Sequence, residues 1–345
     1  MDKIFLKTLA GEKTKRIPFW FMRQAGRYLP EYRELRAQKG GFLAMAMDPA
    51  SACEITMQPI RRFGMDAAII FSDILTIPMA LGMDLRFETG EGPKLDALEN
   101  LQEISRLNYS EFSKLDPVYE ALRQTRTALK NEGFENTALI GFAGAPWTVA
   151  TYMIEGGSSR DFIKTKLMAY RDPEGFSALM DLLVEATARY LIDQVNAGAE
   201  ALQIFDSWAG ALDAQGFERW SIAPTQKIIQ RIRTVHPNVP IIGFPKGAGH
   251  NYLSYAQKTG VTAIGLDPQI PTHWAAQNLQ TFLPVQGNLD PLCLLADGEG
   301  LKSAAQKILD DLGNQPFIFN LGHGIHKDTP ITHVETLVEM IKNHG

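Results

Sequence analysis

Cysteine is scarce in this chain of 345 residues: two occur, Cys53 and Cys293, 240 positions apart and neither in a CxxC pair. A disulfide framework or a cysteine-built zinc site needs more sulfur than that, and the pattern suits a reducing compartment, so the expected location is cytoplasmic. Long hydrophobic runs are missing too. Stretches such as Ala67–Phe71 fall far short of the ~18 apolar residues a membrane span requires, so no membrane partner is expected. Strong net charge is lacking, with 34 Lys and Arg against 39 Asp and Glu and a formal charge of −5. Nothing global recommends nucleic acid. The N-terminus, MDKIFLKTLAGEKTKR, breaks its apolar stretch at Lys7 and shows no cleavage site, which argues against a signal peptide. No low-complexity tract and no Pro/Ser linker marks a boundary. One domain over residues 1–345 is expected, with 1–17 leading into strand one.

What is present is a recurrence of short Val-, Ile-, Phe- and Leu-rich runs bounded by Gly, Pro or Asp: Pro18–Met22, Asp66–Phe71, Ala138–Phe142, Ala201–Phe205, Pro240–Phe244, Val261–Leu266, Phe282–Gln286 and Pro316–Asn320. They are continuously apolar rather than alternating, as parallel strands covered on both faces are. Helical patterns fill most gaps: Pro49–Phe63 after Asp48, Pro117–Asn131, Pro173–Ala197 after Asp172, Ala214–Val235, Asn251–Thr259, Thr272–Leu279, Gly300–Leu312 and Thr332–Asn343. Eight strand–helix units predict an α/β fold, a (β/α)8 TIM barrel, with a doubly wound open sheet as the alternative. The Gly-rich stretch Leu81–Leu95 reads as an excursion, a hairpin outside the barrel.

In such a barrel the active-site cleft lies at the C-terminal ends of the strands. The first run ends in Arg23-Gln24-Ala25-Gly26-Arg27 and the second in Ser72-Asp73; the third leads to Trp147 and Tyr152, and the fourth ends in Asp206-Ser207-Trp208. Later runs lead to Lys246-Gly247-Ala248-Gly249, Asp267, Asn288 with Asp290, and His323. Each has a plainer reading. Asp73 can cap its turn, Tyr152 can be a core aromatic, and Ser207 can be a turn residue. His323 can be structural, although glycines on both sides suggest close backbone approach. His323 and His326 lack a Cys or carboxylate at ligand spacing, so no metal is expected.

Two longer stretches are more specific. Pro18-Phe-Trp-Phe-Met-Arg-Gln-Ala-Gly-Arg27, continuing Tyr-Leu-Pro-Glu-Tyr, resembles the N-terminal signature of the uroporphyrinogen decarboxylase family. Gly141-Phe-Ala-Gly-Ala-Pro-Trp-Thr-Val-Ala-Thr-Tyr152-Met-Ile-Glu-Gly156 is similar to its second signature. Phe71-Ser-Asp73-Ile-Leu, Phe205-Asp-Ser207-Trp-Ala-Gly, Gln286-Gly-Asn-Leu-Asp-Pro291 and Asn320-Leu-Gly-His323-Gly-Ile fit as well, so the resemblance runs in order from residue 18 to about 326. It implies a barrel, a homodimer with facing clefts, and no metal or organic cofactor. It also implies the reaction: uroporphyrinogen III loses CO2 from its four acetates to give coproporphyrinogen III, a step of haem biosynthesis. The substrate-binding positions it implies are Arg23, Gln24, Ala25, Gly26, Arg27, Asp73, Tyr152, Ser207 and His323; of these, the chemistry of the reaction points to Asp73 and Arg23 as the catalytic pair.

These residue types suit that chemistry. Loss of CO2 needs the pyrrole protonated into an electron sink, and a fixed carboxylate in a pocket of low dielectric stabilises the positive ring. Arginine forks pair with carboxylates in a geometry lysine lacks. Backbone N–H groups of Gln24, Ala25 and Gly26 are expected to face the substrate. Three other readings stay open: a thiol methyltransferase on a related barrel, a non-catalytic tetrapyrrole carrier, and a glycosidase drawing a carboxylate pair from Asp73, Asp206, Asp267 and Asp290.

Overall fold

The structure is a computed structural model that describes residues 3–88, 92–296 and 298–344. Seven parallel strands form one sheet: β1 (Ala67–Ile69), β4 (Ala138–Gly144), β5 (Ala201–Asp206), β6 (Ile241–Pro245), β7 (Ala263–Gly265), β8 (Val285–Leu289) and β9 (Phe317–Leu321), hydrogen-bonded in that order. The antiparallel pair β2 (Leu85–Glu88) and β3 (Gly92–Leu95) stands apart as the expected hairpin, whose tip at 89–91 lies outside the described residues. Each barrel strand is buried along its whole length or nearly so, which is why the runs carry no alternation.

The eighth stave is the segment 18–22. It makes a single parallel bridge, Phe19 to Phe319, and is not a regular strand as the sequence suggests. It nonetheless bonds on both sides. Phe319 N donates to Pro18 O (2.9 Å), Trp20 N to Phe319 O (3.3 Å), and Asp66 N to Phe19 O (3.0 Å). Pro18 has no N–H to give a ladder, and side chains complete the closure instead. Asn320 Oδ1 accepts from Met22 N (2.9 Å), and Asp66 Oδ2 accepts from Phe19 N (2.9 Å). Arg16 clasps the same Asp66 with two bonds of 2.8 and 2.6 Å.

A helix follows each stave, at Pro49–Phe63, Asp116–Asn131, Pro173–Asn196, Ala223–Val235, Asn251–Lys258, Thr272–Asn278, Gly298–Leu312 and Ile331–Asn343, and together they sheathe the barrel. Local chemistry explains their starts. Asp172 Oδ1 accepts from Gly175 N at 2.8 Å with Pro173 next in the chain, an N-cap ahead of a proline-led first turn. Asp48 does not cap Pro49–Phe63 in that way; its Oδ2 takes Lys39 Nζ (2.8 Å) and Ser51 Oγ (2.6 Å). The helix expected over Ala214–Val235 is interrupted by a π-helical turn, Glu218–Ile222, within which Ser221 Oγ reaches inward to Asp206 Oδ2 (2.6 Å).

Residues 3–17 do more than lead into the barrel. The helix Ile4–Leu9 buries Phe5, Leu6 and Leu9 against Trp20, Ala67, Ala138, Ala201, Ile242, Ala263 and Ile318. Each such side chain contributes about 1.5–3 kcal/mol when fully covered. Lys3 Nζ ties the helix to Thr137 O (2.9 Å) and Glu200 Oε2 (2.6 Å), just before β4 and β5 begin. The N-terminal mouth of the barrel is therefore stoppered, and the opposite mouth carries the chemistry.

Candidate active site

Arg23 follows the 18–22 stave with φ +58°, a left-handed conformation unusual for a residue with a side chain. Holding it costs on the order of 1–3 kcal/mol, the kind of local strain found where a side chain must be aimed. The turn is kept by Gln24, which is buried: its Nε2 donates to Ala67 O (3.1 Å), its Oε1 accepts from Phe21 N (3.2 Å), and its own N–H donates to Phe21 O (2.9 Å). Both the side chain and the amide of Gln24 are thus taken up within the turn, where the sequence suggests an N–H turned to a substrate. Among the described residues the amides of Ala25 and Gly26 have no hydrogen-bond partner. A Cβ added at Gly26 would meet nothing nearer than Arg23 O at 3.4 Å, so no internal crowding demands glycine. Arg27 is exposed.

Asp73 caps its turn and faces the cleft at once. Its Oδ1 accepts from Leu75 N (2.8 Å), and Oδ2 has no partner among the described residues. Burial pushes its pKa up to about 6 against two opposing influences, the Leu75 bond and the charge of Arg23. Tyr152, half-buried on the helix Pro146–Glu155, has its pKa raised by burial first and then by Asp73, while Trp208 and Arg23 pull it down. Its ring lies 6.2 Å from that of Trp208. Ser207 precedes that tryptophan, half-buried and without a hydrogen bond of its own among the described residues. His323 opens onto the cleft; desolvation by its walls, then Lys246 and Arg23, push its pKa down to about 4. It is a neutral imidazole at pH 7.

Across 300 positions of sequence, the charge of Arg23 thus bears on Asp73, Tyr152 and His323 alike, and that of Asp73 on Tyr152, which gathers them at a single mouth. The glycines beside His323 answer to protein rather than ligand. A Cβ on Gly324 would come within 2.9 Å of Arg23 Cδ, and one on Gly322 within 2.5 Å of Pro268. Burial takes two of the four carboxylates of the glycosidase reading out of play, while Asp73 and the exposed Asp290, whose Oδ1 accepts from Leu292 N (2.9 Å), stay accessible. Asp206 is enclosed, bonded by Thr148 Oγ1 and Ser221 Oγ at 2.6 Å each. Asp267 is enclosed by Gly247 N (2.6 Å), Tyr252 Oη (2.9 Å) and Gln269 N (2.9 Å). Both brace loops and neither reaches a substrate. No cluster of three or more His, Cys, Asp or Glu suited to a metal ion occurs among the described residues, and both cysteines are free. No helix there is long and apolar enough to cross a membrane.

Two rim residues carry more weight than the sequence assigns them. Trp208 forms the wall between Tyr152 and Phe162, and Lys246 stands beside it. Their signal in the sequence was position alone, directly after a strand end.

Comparison with known proteins agrees along the whole length. The family model described as uroporphyrinogen decarboxylase matches residues 1–344. A uroporphyrinogen decarboxylase of Rhizorhabdus wittichii is 53% identical over 343 residues, covering 98% of this chain and 96% of that one. One of Chelativorans sp. is 53% identical over 342 residues, covering 99% and 98%. Among solved structures, a methyltransferase from Methanosarcina mazei superposes with a TM-score of 0.81 at 19% identity over 98% of this chain and 97% of its own. At that identity the likeness shows the barrel and nothing of the reaction.

Proposed function

Because this chain belongs to the uroporphyrinogen decarboxylase family, we propose that its cleft removes CO2 from the four acetates of uroporphyrinogen III, one after another, to give coproporphyrinogen III. The observation that carries the reading is Asp73: a carboxylate at the open mouth, with one oxygen unpartnered and Arg23 bearing on it.

A proton adds to the pyrrole carbon next to the acetate-bearing position, leaving the ring cationic. The bond from the exocyclic CH2 to the carboxylate carbon breaks, its electron pair flows into the ring, and CO2 departs. The exocyclic methylene takes a proton to become a methyl, and the ring carbon gives one up. Each cycle takes in one proton and releases one CO2. Asp73 accepts inward pyrrole N–H groups and opposes the positive ring with a fixed charge, which in a desolvated site lowers the barrier without reorganisation. Arg23 grips the carboxylate that leaves, and its guanidinium, protonated far above neutrality, serves as a clamp rather than a proton donor. Arg27, the Ala25 and Gly26 amides, Tyr152, Ser207 and neutral His323 hold the remaining carboxylates, while Gln24 secures the turn beneath them. These groups need no metal or organic cofactor. One barrel domain over 1–345 acts as the unit, in the cytoplasm.

The second copy sits over the helix Ile163–Arg171. Ile163, Leu167 and Tyr170 form one stripe, 60%, 41% and 69% exposed, and Phe162 beside them packs on Trp208 at the cleft rim. A homodimer on this face brings two clefts together. Sedimentation equilibrium on Ile163→Glu is expected to show monomer where the parent shows dimer, and a monomeric parent at micromolar concentration would overturn this arrangement.

The test of the activity is anaerobic incubation of purified, chelator-treated protein with uroporphyrinogen III. Seven-, six-, five- and four-carboxyl products should appear in turn with CO2, whereas intact substrate from folded protein would leave a carrier. The pH profile checks Asp73. It must be ionised, so kcat/KM falls as pH drops through about 6, approaching ten-fold per pH unit. His323, at about 4, adds no limb in that range. A profile flat down to about pH 5 would remove Asp73 from the role.

A further inference from the structure

We infer that Lys246 is a further carboxylate-binding residue of the cleft, taking a side-chain carboxylate of the macrocycle other than the one poised over Asp73. The inference rests on the proposed tetrapyrrole substrate and adds a ligand to it. Lys246 is the first residue beyond β6, so its place is the rim. Its backbone is stitched to the neighbouring loop: its N–H donates to Asp206 O and Phe244 O at 3.1 Å each, and its carbonyl accepts from Gly210 N at 3.0 Å. The two loops meet so closely that a Cβ on Gly210 would lie 2.6 Å from Gly247 O. Lys246 is therefore fixed against the turn that carries Ser207 and Trp208.

Its ammonium stands 5.9 Å from the centroid of the Trp208 ring, half-buried, and makes no ion pair among the described residues. A half-buried ammonium beside an aromatic face, with no anion near it among the described residues, leaves a place for a carboxylate. An arriving carboxylate completes the environment. Lys246 and Arg23 both bear on His323, whereas of the two only Arg23 bears on Asp73 and Tyr152. The lysine thus lies with His323 and Trp208, placed to take a carboxylate other than the reacting acetate. A substrate with eight carboxylates can occupy it and Arg23 together, and the mobile point charge of lysine suits a carboxylate that changes identity as the ring is re-presented.

The test compares the parent enzyme, Lys246→Gln and Lys246→Arg with uroporphyrinogen III, by steady-state kinetics at two salt concentrations and by melting temperature. Lys246→Gln is expected to raise KM about ten-fold, as loss of one charge-assisted contact does, with kcat changed much less. The salt dependence of kcat/KM should become shallower, Lys246→Arg should recover most of the affinity, and the melting temperatures should agree. Unchanged KM in Lys246→Gln, a loss confined to kcat, or failure of arginine to rescue would overturn the assignment. A parent enzyme inert toward uroporphyrinogen would instead overturn the proposed activity, so the two failures are distinguishable.

Discussion

Asp73→Asn is expected to lower kcat by about 10²- to 10³-fold, with a smaller rise in KM, in the anaerobic CO2-release assay. That is the size of effect seen when one preorganised electrostatic partner of a developing charge is removed. The amide keeps the shape and the capping bond to Leu75, since its oxygen can still accept from that N–H. What it removes is the negative charge. The same substitution should make the protein more stable near neutral pH. The Asp73 pKa is raised in the folded state from 3.8 to about 6, so folding favours the protonated form. Stability linked to it is fully present below the unfolded value and is lost as pH rises through about 6. At pH 8 the ionised carboxylate costs at most about 3 kcal/mol, and asparagine relieves part of it. A higher melting temperature at pH 8, shrinking toward pH 4, together with lost turnover identifies a group kept for function. Near-normal kcat would show that its charge takes no part in the chemistry.

Arg23→Lys is expected to cut kcat/KM by about a hundred-fold, because a single ammonium replaces a bidentate fork. Lysine preserves charge and most of the stem that packs against Gly324, so a loss reports on carboxylate geometry rather than on folding. Arg23→Gln separates the charge from the fork. Arg23 draws the Asp73 pKa down, so removing its charge should move the acid limb of the pH profile upward from about 6. Unchanged kinetics in the lysine variant would take Arg23 out of the site.

The barrel was legible because parallel strands covered on both faces leave unbroken apolar runs, and seven of the eight expected runs overlap strands in the structure. The seventh in order was displaced. Phe282 is 60% exposed in the approach, and the strand runs Val285–Leu289 through Gln286. A polar residue looked like an end, yet Gln286 lies inside the barrel, accepting from Trp20 Nε1 (2.7 Å) and donating to Gln203 Oε1 (3.1 Å). The 18–22 stave was read as a strand because its composition is that of one, while Pro18 and side-chain bonds make its pairing irregular. The stopper helix Ile4–Leu9 was not foreseen: six residues with Lys3 before them and Lys7 among them show little periodicity, and its partners come from all around the barrel. Reading the residues after strand ends gathers Arg23, Asp73 and His323, with Tyr152 on the helix that follows β4, at one mouth of the barrel, and their roles there stand as proposed. The bonds that tie Gln24 into its turn were not legible, because a motif does not say which of its members turn inward.

The stoppered N-terminal mouth makes the barrel a vessel with one door. With Asp73 serving one acetate at a time, as proposed, each partly decarboxylated ring is expected to leave, turn and re-enter by the same mouth. Seven-, six- and five-carboxyl rings then compete with fresh substrate for the same entrance, and the mixture that accumulates under excess substrate is a record of that queue.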